Sequence, residues 1–303
     1  MRPQVMTVSM LAALAFLWVS PLSSPAAPQQ GALPNVAPAQ DPELAARMKE
    51  AAGQPTPRTK DGHPDLSGYW TAGFDFVSRA VAKDAVNADG STKRALVGPE
   101  SQEHAGNLAS VAARKKNTAA RVSYKPEFQS KADENFERAA YLDPSYRCTP
   151  LGIPRMGPPS EIVQTPTTVY FLYGNLVSVP NPYRIIPIDG RAHDKDAEPM
   201  PNGDAVGRWE GNTLVVDVTT FNEDTWIDND GSFHDSNMHV VERLTRQGNT
   251  LHYAATVEDP TLFTKPFEVR ERTLFLGKQG EHVAQDYPCV EMDQSHLRTN
   301  ERH

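Results

Sequence analysis

The sequence predicts a mainly β fold with peripheral helices, in which an antiparallel meander of about eight strands closes into a barrel. Short runs rich in Val, Ile, Leu and Tyr follow one another from Glu161 onward, and turn residues separate them. The tetrapeptide Gly-Asn-Thr-Leu occurs at 211–214 and again at 248–251, each time between two such runs. This repetition indicates one hairpin turn that is used twice. An open, curved sheet backed by the helices is the alternative.

The individual elements can be placed along the chain. The turn-rich segment 60–68 leads into a short aromatic strand that reaches Trp70. The later strands are predicted at 161–165, 168–173, 183–188, 204–209, 213–219, 238–246, 250–258 and 267–276. Helices are predicted at Pro42–Ala52 and in the insert 97–141, where Pro99 and Pro126 each begin one.

The N-terminus predicts export. Arg2 precedes an apolar run from Val5 to Val19, and small residues follow at 24–26. This pattern is typical of a secretory signal at 1–26 that is cleaved near Ala26 or Ala27. The run is short for a membrane span, which needs roughly 20 residues. We therefore expect a periplasmic or secreted protein without a stable span after cleavage; an uncleaved anchor is the alternative.

The mature chain is predicted to have one domain. A Pro- and Ala-rich tether covers 27–60, a single β-barrel domain with the helical insert covers 61–292, and a tail covers 293–303. Thirty Lys and Arg against 38 Asp and Glu give a formal net charge of −8. An acidic chain without a basic block argues against binding of nucleic acid or anionic membrane surfaces.

The chain contains two cysteines, Cys148 and Cys289. An even pair in an exported protein predicts a disulfide, here between the beginning and the end of the strand-rich region. On the chain-entropy model, closing so long a loop contributes up to about 4–5 kcal/mol. Two free thiols are the alternative.

Alternation along two strands predicts an acid–base site inside the barrel. The more apolar face of 238–245 consists of Met238, Val240, Glu242 and Leu244. That of 267–275 consists of Phe267, Val269, Glu271, Thr273 and Phe275. If both faces point inward, Glu242 and Glu271 share one cavity, where lost hydration raises a carboxyl pKa and suits general acid–base catalysis. The alternatives are reversed faces, or glutamates paired with an arginine such as Arg155, Arg184 or Arg208.

The insert between the strands that end at 219 and begin at 238 is long for a hairpin connection, as functional loops often are. Trp226 stands in its polar part and is predicted to cover a ligand, together with Phe221, Asn222 and Trp209. Trp209 can instead be a core residue at a strand end. His234 and Arg243 are predicted to orient or polarise a substrate.

A metal site is a weaker prediction. His193, His234 and Asp235 lie in loops that can meet over a barrel mouth. His193 and His234, with one or more of Asp204, Asp228, Asp235 and Glu242, would then form a His/carboxylate cluster for a divalent metal. No HExxH or comparable spacing supports it, and a surface or hydrogen-bonded histidine is the alternative. His239 and Glu242 are three residues apart on one strand and therefore point to opposite faces.

Three segments carry a family resemblance: PSYRCTPLGIPRM (144–156), 206–246, and VEDPTLFTKPFEV (257–269). Through them the chain resembles a widespread group of secreted, largely hypothetical proteins of soil bacteria, over about residues 60–292. The resemblance implies export and a shared barrel-like fold, and brings no established reaction. More loosely, the meander is similar to calycin or lipocalin-like barrels, which implies binding of small apolar molecules.

Three functions follow as hypotheses. The first is an exported enzyme, a lyase, isomerase or hydrolase, that acts on a small organic molecule with Glu242 and Glu271 as acid and base. The second is a non-catalytic periplasmic barrel that binds a small apolar ligand. The third is a metal-dependent enzyme built on His193 and His234. The sequence contains no nucleophile elbow, phosphate-binding loop or dinucleotide fingerprint.

Overall fold

The structure, a computed structural model, describes residues 42–71, 85–86, 92–93, 121–174 and 183–283. Its strands are β1 (Gly68–Thr71), β2 (Ala85–Val86), β3 (Thr92–Lys93), β4 (Glu161–Gln164), β5 (Thr168–Leu172), β6 (Tyr183–Pro187), β7 (Asp204–Glu210), β8 (Thr213–Thr219), β9 (His239–Gln247), β10 (Thr250–Glu258) and β11 (Phe267–Leu276). The helices are α1 (Pro42–Ala52), α2 (Pro126–Glu137) and α3 (Ala139–Leu142), followed by a 3-10 helix, Pro144–Arg147. The helix predicted from Pro99 lies outside the described residues.

Nine antiparallel strands form a nearly closed barrel, in the order β6-β5-β4-β1-β11-β10-β9-β8-β7. Read around the barrel, β4 to β11 follow one another as a meander of eight strands, and β1 lies between the first and the last of them. The mainly β fold with a closing meander is therefore confirmed, and the short strand predicted to reach Trp70 is the ninth strand of the barrel. The open sheet is not formed. β2 and β3 pair separately as a small hairpin.

β1 closes one side of the barrel with backbone pairing on both of its edges. Tyr69 is opposite Glu161 of β4, and Trp70 is opposite Leu276 of β11. The Trp70 side chain is buried, and its indole N–H donates to the Leu66 carbonyl at 2.9 Å. A four-residue strand thus joins the two ends of the meander.

The other seam, between β6 and β7, is closed by side-chain contact. These strands stand at the two ends of the hydrogen-bonded order, although they are in contact. A Cβ atom placed on Gly207 of β7 would come within 3.1 Å of the Ile186 Cγ2 atom of β6 and within 2.7 Å of Ile188 Cγ2. The absence of a side chain at Gly207 is therefore what lets the two strands approach.

Two-residue turns confirm the predicted hairpins. Gly211-Asn212 joins β7 to β8 and Gly248-Asn249 joins β9 to β10, with φ of 62° and 56° at the glycines. A positive φ is what two-residue hairpin loops require, and glycine adopts it at little cost.

The described part of the predicted tether packs against the barrel. α1 has the predicted bounds, and the Ala51 carbonyl accepts a hydrogen bond from the Asn249 N–H at 2.8 Å. The Thr56 hydroxyl accepts another from the Gly248 N–H at 2.7 Å. Residues 42–60 therefore cover the β9–β10 turn. No helix in the described part of the chain is long and apolar enough to cross a bilayer.

The barrel interior is apolar, as alternation predicts. Val240 and Leu244 of β9 are fully buried, and so are Val216 of β8 and Leu251 of β10. Each buried aliphatic side chain of this kind contributes about 1.5–3 kcal/mol to stability.

A bulge between β10 and β11 changes the alternation of β11. Tyr253 is opposite Arg272, but Ala255 is opposite Val269, so β11 contains one extra residue. Val269 points inward before the bulge and Arg272 after it, while Glu271 is exposed. The prediction that Glu271 faces the interior is wrong, because the count along β11 assumed an uninterrupted period of two.

Candidate functional site

A buried ion pair crosses the barrel interior. The Glu242 side chain on β9 is fully buried, as predicted, and that of Arg184 on β6 is 3% exposed. Arg184 Nη2 lies 2.6 Å from Glu242 Oε2. Arg184 is one of the three arginines that the sequence offers as partners for an interior glutamate. β6 and β9 are not neighbours in the hydrogen-bonded order, so the pair connects strands that share no backbone bond.

Two tyrosines complete this group. The Tyr253 hydroxyl on β10 donates to Glu242 Oε1 at 2.9 Å. Arg184 Nη1 donates to the Tyr173 hydroxyl, just after β5, at 3.2 Å. We call Arg184, Glu242, Tyr173 and Tyr253 the interior quartet. The Arg184 guanidinium also lies 5.7 Å from the centroid of the Phe171 ring.

Electrostatics set the protonation of the quartet. Burial raises the pKa of Tyr173 to about 12, and burial next to the Glu242 carboxylate raises the pKa of Tyr253 well above its usual value. Both phenols are therefore neutral at neutral pH. Burial opposes the charge of Arg184, but the neighbouring Glu242 carboxylate and Tyr173 hold its pKa above the ordinary value. The quartet thus contains one guanidinium, one carboxylate and two neutral hydroxyls.

Three buried polar atoms of the quartet have no hydrogen-bond partner among the described residues: Arg184 Nε, Arg184 Nη2 and Glu242 Oε2. Nη2 and Oε2 form the ion pair at 2.6 Å, and each keeps further hydrogen-bonding capacity, because a guanidinium Nη carries two N–H groups and a carboxylate oxygen has two lone pairs. Proteins leave few buried polar atoms without a partner. The quartet therefore offers two donors and one acceptor inside the barrel.

The predicted ligand-binding loop has a core of its own. Phe221 is fully buried and Trp226 is 7% exposed, with the Arg155 guanidinium 5.7 Å from the centroid of its ring. A short antiparallel bridge joins Trp226 to Phe233. Asn222 makes a local hydrogen bond to Asp224 at 2.7 Å. Trp226 thus packs inside the loop, and its predicted contact with a ligand stays a prediction.

His234 is fixed within the same loop. It is 3% exposed, and burial lowers its pKa, which favours the neutral ring. Nδ1 lies 3.1 Å from the Asp235 carbonyl oxygen, so Nδ1 carries the proton and donates. Nε2 then accepts from the Thr225 hydroxyl at 2.8 Å. Both ring nitrogens are engaged in holding the loop.

The other predicted catalytic and binding residues lie apart from the quartet. Arg243 is on the outer face and donates to Glu210 at 2.6 Å, and Glu271 lies 3.0 Å from His252. Trp209 stacks on His63 with ring centroids 4.7 Å apart, near the hairpin end of β7. Phe221 follows β8 at the opposite end of the barrel. Trp209 therefore does not share a site with Phe221.

His193 belongs to a cluster on the outer face. Its Nδ1 is 2.6 Å from Asp204, and its Nε2 is 3.1 Å from Asp217, which also contacts His239 Nε2 at 3.0 Å. Donation from both nitrogens of His193 requires a protonated ring. Within the described ranges, no group of three or more His, Cys, Asp or Glu side chains could hold a metal. His193, His234 and Asp235 do not form the predicted cluster.

Sequence reasoning missed the two tyrosines. Tyr253 could have been found, because alternation in β10 places it on the same inward face as Leu251. Tyr173 follows the end of β5, where alternation no longer predicts direction reliably. Cys148 is described and is not free, whereas Cys289 lies outside the described residues. The disulfide between them stays a prediction.

Comparisons of this chain with protein-family models, with curated proteins and with solved structures find no match.

We expect Glu242→Gln or Arg184→Met to lower the free energy of unfolding by about 3–5 kcal/mol, because each leaves a buried charge without its partner. The double variant should lose less than the sum of the two. The exposed pair Arg243–Glu210 has the same chemistry and the same 2.6 Å separation, and is the matched control. Glu210→Gln should cost about 0–1 kcal/mol. Urea unfolding followed by tryptophan fluorescence measures all four; additive losses would contradict the coupling.

Asp217 should make the fold sensitive to acid. Burial raises the pKa of Asp217, but hydrogen bonds from His193 and His239 outweigh it and bring the pKa below its usual value. A lowered folded-state pKa means that the stabilisation is complete above the unfolded pKa of about 3.9 and is lost as pH falls through the folded value. Asp217→Asn should therefore show a smaller fall of Tm below about pH 4 than the parent protein. Asp61→Asn, at an exposed position, is the control; identical pH profiles for all three proteins would refute this role.

Proposed function

We propose that this protein binds a small organic molecule inside its barrel, with a polar group of the ligand on the interior quartet and an apolar body among the surrounding side chains. The supporting observation is that Arg184 Nε, Arg184 Nη2 and Glu242 Oε2 are buried without hydrogen-bond partners among the described residues. A ligand that supplied those partners would remove an unfavourable feature of the interior.

The surroundings of the quartet support the same proposal. Ligand sites are mostly apolar walls with a few well-placed polar groups. Phe171 and Val216 are fully buried, and Ala255, directly opposite Glu242 on β10, is 2% exposed. A buried ion pair is weak evidence for a purely stabilising role, because apolar residues of similar volume often stabilise as well or better.

An acid–base enzyme is the second proposed function, and the Tyr253–Glu242 hydrogen bond favours it. Glu271 can no longer serve as the second carboxylate, since it lies outside the barrel. Catalysis would then depend on Glu242 as base and Tyr253 as neutral donor. Mass spectrometry of a ligand recovered after incubation separates the two functions, because an enzyme returns an altered molecule and a binding protein returns the same one.

We also propose that the chain is exported, as a member of the secreted group that it resembles, and that Cys148 and Cys289 form a disulfide. The apolar run before Ala26 supports export, and an oxidising compartment supports the disulfide. The intact mass of the protein recovered from the periplasm, with and without reduction and alkylation, checks both. A full-length chain would contradict cleavage of the signal. Two alkylatable thiols in the unreduced sample would contradict the disulfide.

Binding can be tested with N-phenyl-1-naphthylamine, a neutral apolar dye whose fluorescence rises in apolar surroundings. We expect saturable binding with one site per chain. Ala255→Met should abolish this binding, because the longer side chain would project into the interior beside Glu242, its partner on β9, while far-UV circular dichroism stays unchanged. Val163→Met, at an exposed position of β4, is the control. Absence of saturable binding, or binding that Ala255→Met leaves intact, would overturn the proposal.

A further inference from the structure

We propose that the polar group of the ligand is a neutral carboxamide, whose carbonyl oxygen accepts from Arg184 and whose N–H donates to Glu242. This inference rests on the proposed binding function and adds the chemical class of the ligand. It follows from the charge of the quartet and from the type and position of its partnerless atoms.

The charge balance favours a neutral ligand. Arg184 and Glu242 compensate each other at 2.6 Å, and the two tyrosine hydroxyls are neutral hydrogen-bonding groups. An anion would place a second negative charge beside Glu242, and a cation would place a second positive charge beside Arg184. In a buried site, either one leaves a charge without compensation.

The other buried arginines of the barrel strands are already engaged. Arg246 donates to the carbonyl oxygen atoms of Gly248 and Asp65, near the α1 end of the barrel. Arg272, opposite Tyr253 on β11, also has an interaction. The charges that the quartet itself presents to a ligand are those of the Arg184–Glu242 pair.

The partnerless atoms define the hydrogen-bonding pattern. Arg184 Nε and Nη2 lie on one edge of the planar guanidinium, where two N–H groups point in parallel. A carbonyl oxygen has two lone pairs and can accept from both. Glu242 Oε2 is an acceptor and needs a donor from the ligand. Only 2.6 Å separates Nη2 from Oε2, so the acceptor and the donor of the ligand must lie close together. A carboxamide has this arrangement, with its carbonyl oxygen and its N–H on the two sides of one carbon.

The test uses compounds with one naphthalene body and different polar groups: 2-naphthamide, 2-naphthylmethanol, 2-naphthoate, 2-naphthamidine and 2-methylnaphthalene. Each is titrated against the full chain with bound N-phenyl-1-naphthylamine, and displacement gives its affinity. We expect 2-naphthamide to bind most tightly. Compounds with the wrong charge, or without a polar group, should bind about tenfold to a hundredfold more weakly, since they leave buried groups unpaired.

Two variants provide a readout that a merely structural ion pair would not change. Glu242→Gln removes the carboxylate charge, so selectivity should move towards 2-naphthoate. Arg184→Met removes the guanidinium, so selectivity should move towards 2-naphthamidine. If one of the two variants fails to fold, the other is sufficient to test the inference. Glu210→Gln alters an exposed glutamate paired with Arg243 and should leave the ranking unchanged.

The outcomes separate this inference from the binding proposal. If the dye does not bind saturably, the proposed function fails and the inference falls with it. If the dye binds but the alcohol, a charged compound or methylnaphthalene binds as tightly as the amide, the carboxamide assignment is overturned and the binding function stands. An unchanged ranking in a folded Glu242→Gln or Arg184→Met variant also overturns the assignment.

Discussion

Closure of the barrel is the constraint on which the rest of this structure depends. The strands form one hydrogen-bonded order that starts at β6 and ends at β7, so backbone pairing alone leaves a seam between those two strands. Gly207 lets them approach, and the Arg184–Glu242 pair spans the interior from β6 to β9. Tyr173 and Tyr253 fix the two ends of that pair. The polar centre of the barrel is therefore also a link between strands on the two sides of that seam.

This double role explains why a charged pair can persist among apolar side chains. Moving two ions out of water is costly, and their attraction offsets that cost only when the geometry is good and the remaining donors and acceptors are satisfied. Here the geometry is close, but three atoms remain without hydrogen-bond partners among the described residues. Buried polar atoms without a partner are few in folded proteins, so the attraction between Arg184 and Glu242 does not by itself account for these three.

The limits of sequence reasoning can be traced to particular residues. The period of two in β9 correctly places Glu242 inside, because that strand has no irregularity. The same period fails for Glu271, since one extra residue in β11 reverses the faces and no side chain marks the bulge. Trp209 and Phe221, which are close along the chain, were predicted to contact the same ligand. The full length of β8 separates them, which only the strand directions reveal.

The position of β1 has a consequence for how the chain can fold. Its two partners, β4 and β11, are far along the chain, and Trp70 and Leu276 are separated by about two hundred residues, a distance that makes loop closure slow. The β11 edge of β1 can pair only once the last strand of the meander is in place. Until then, the edges that β1 and β11 present to each other are unpaired, and other chains can join them. Productive folding is thus a competition between late docking of a short N-terminal strand and edge-to-edge aggregation, and Trp70, by its burial, favours docking.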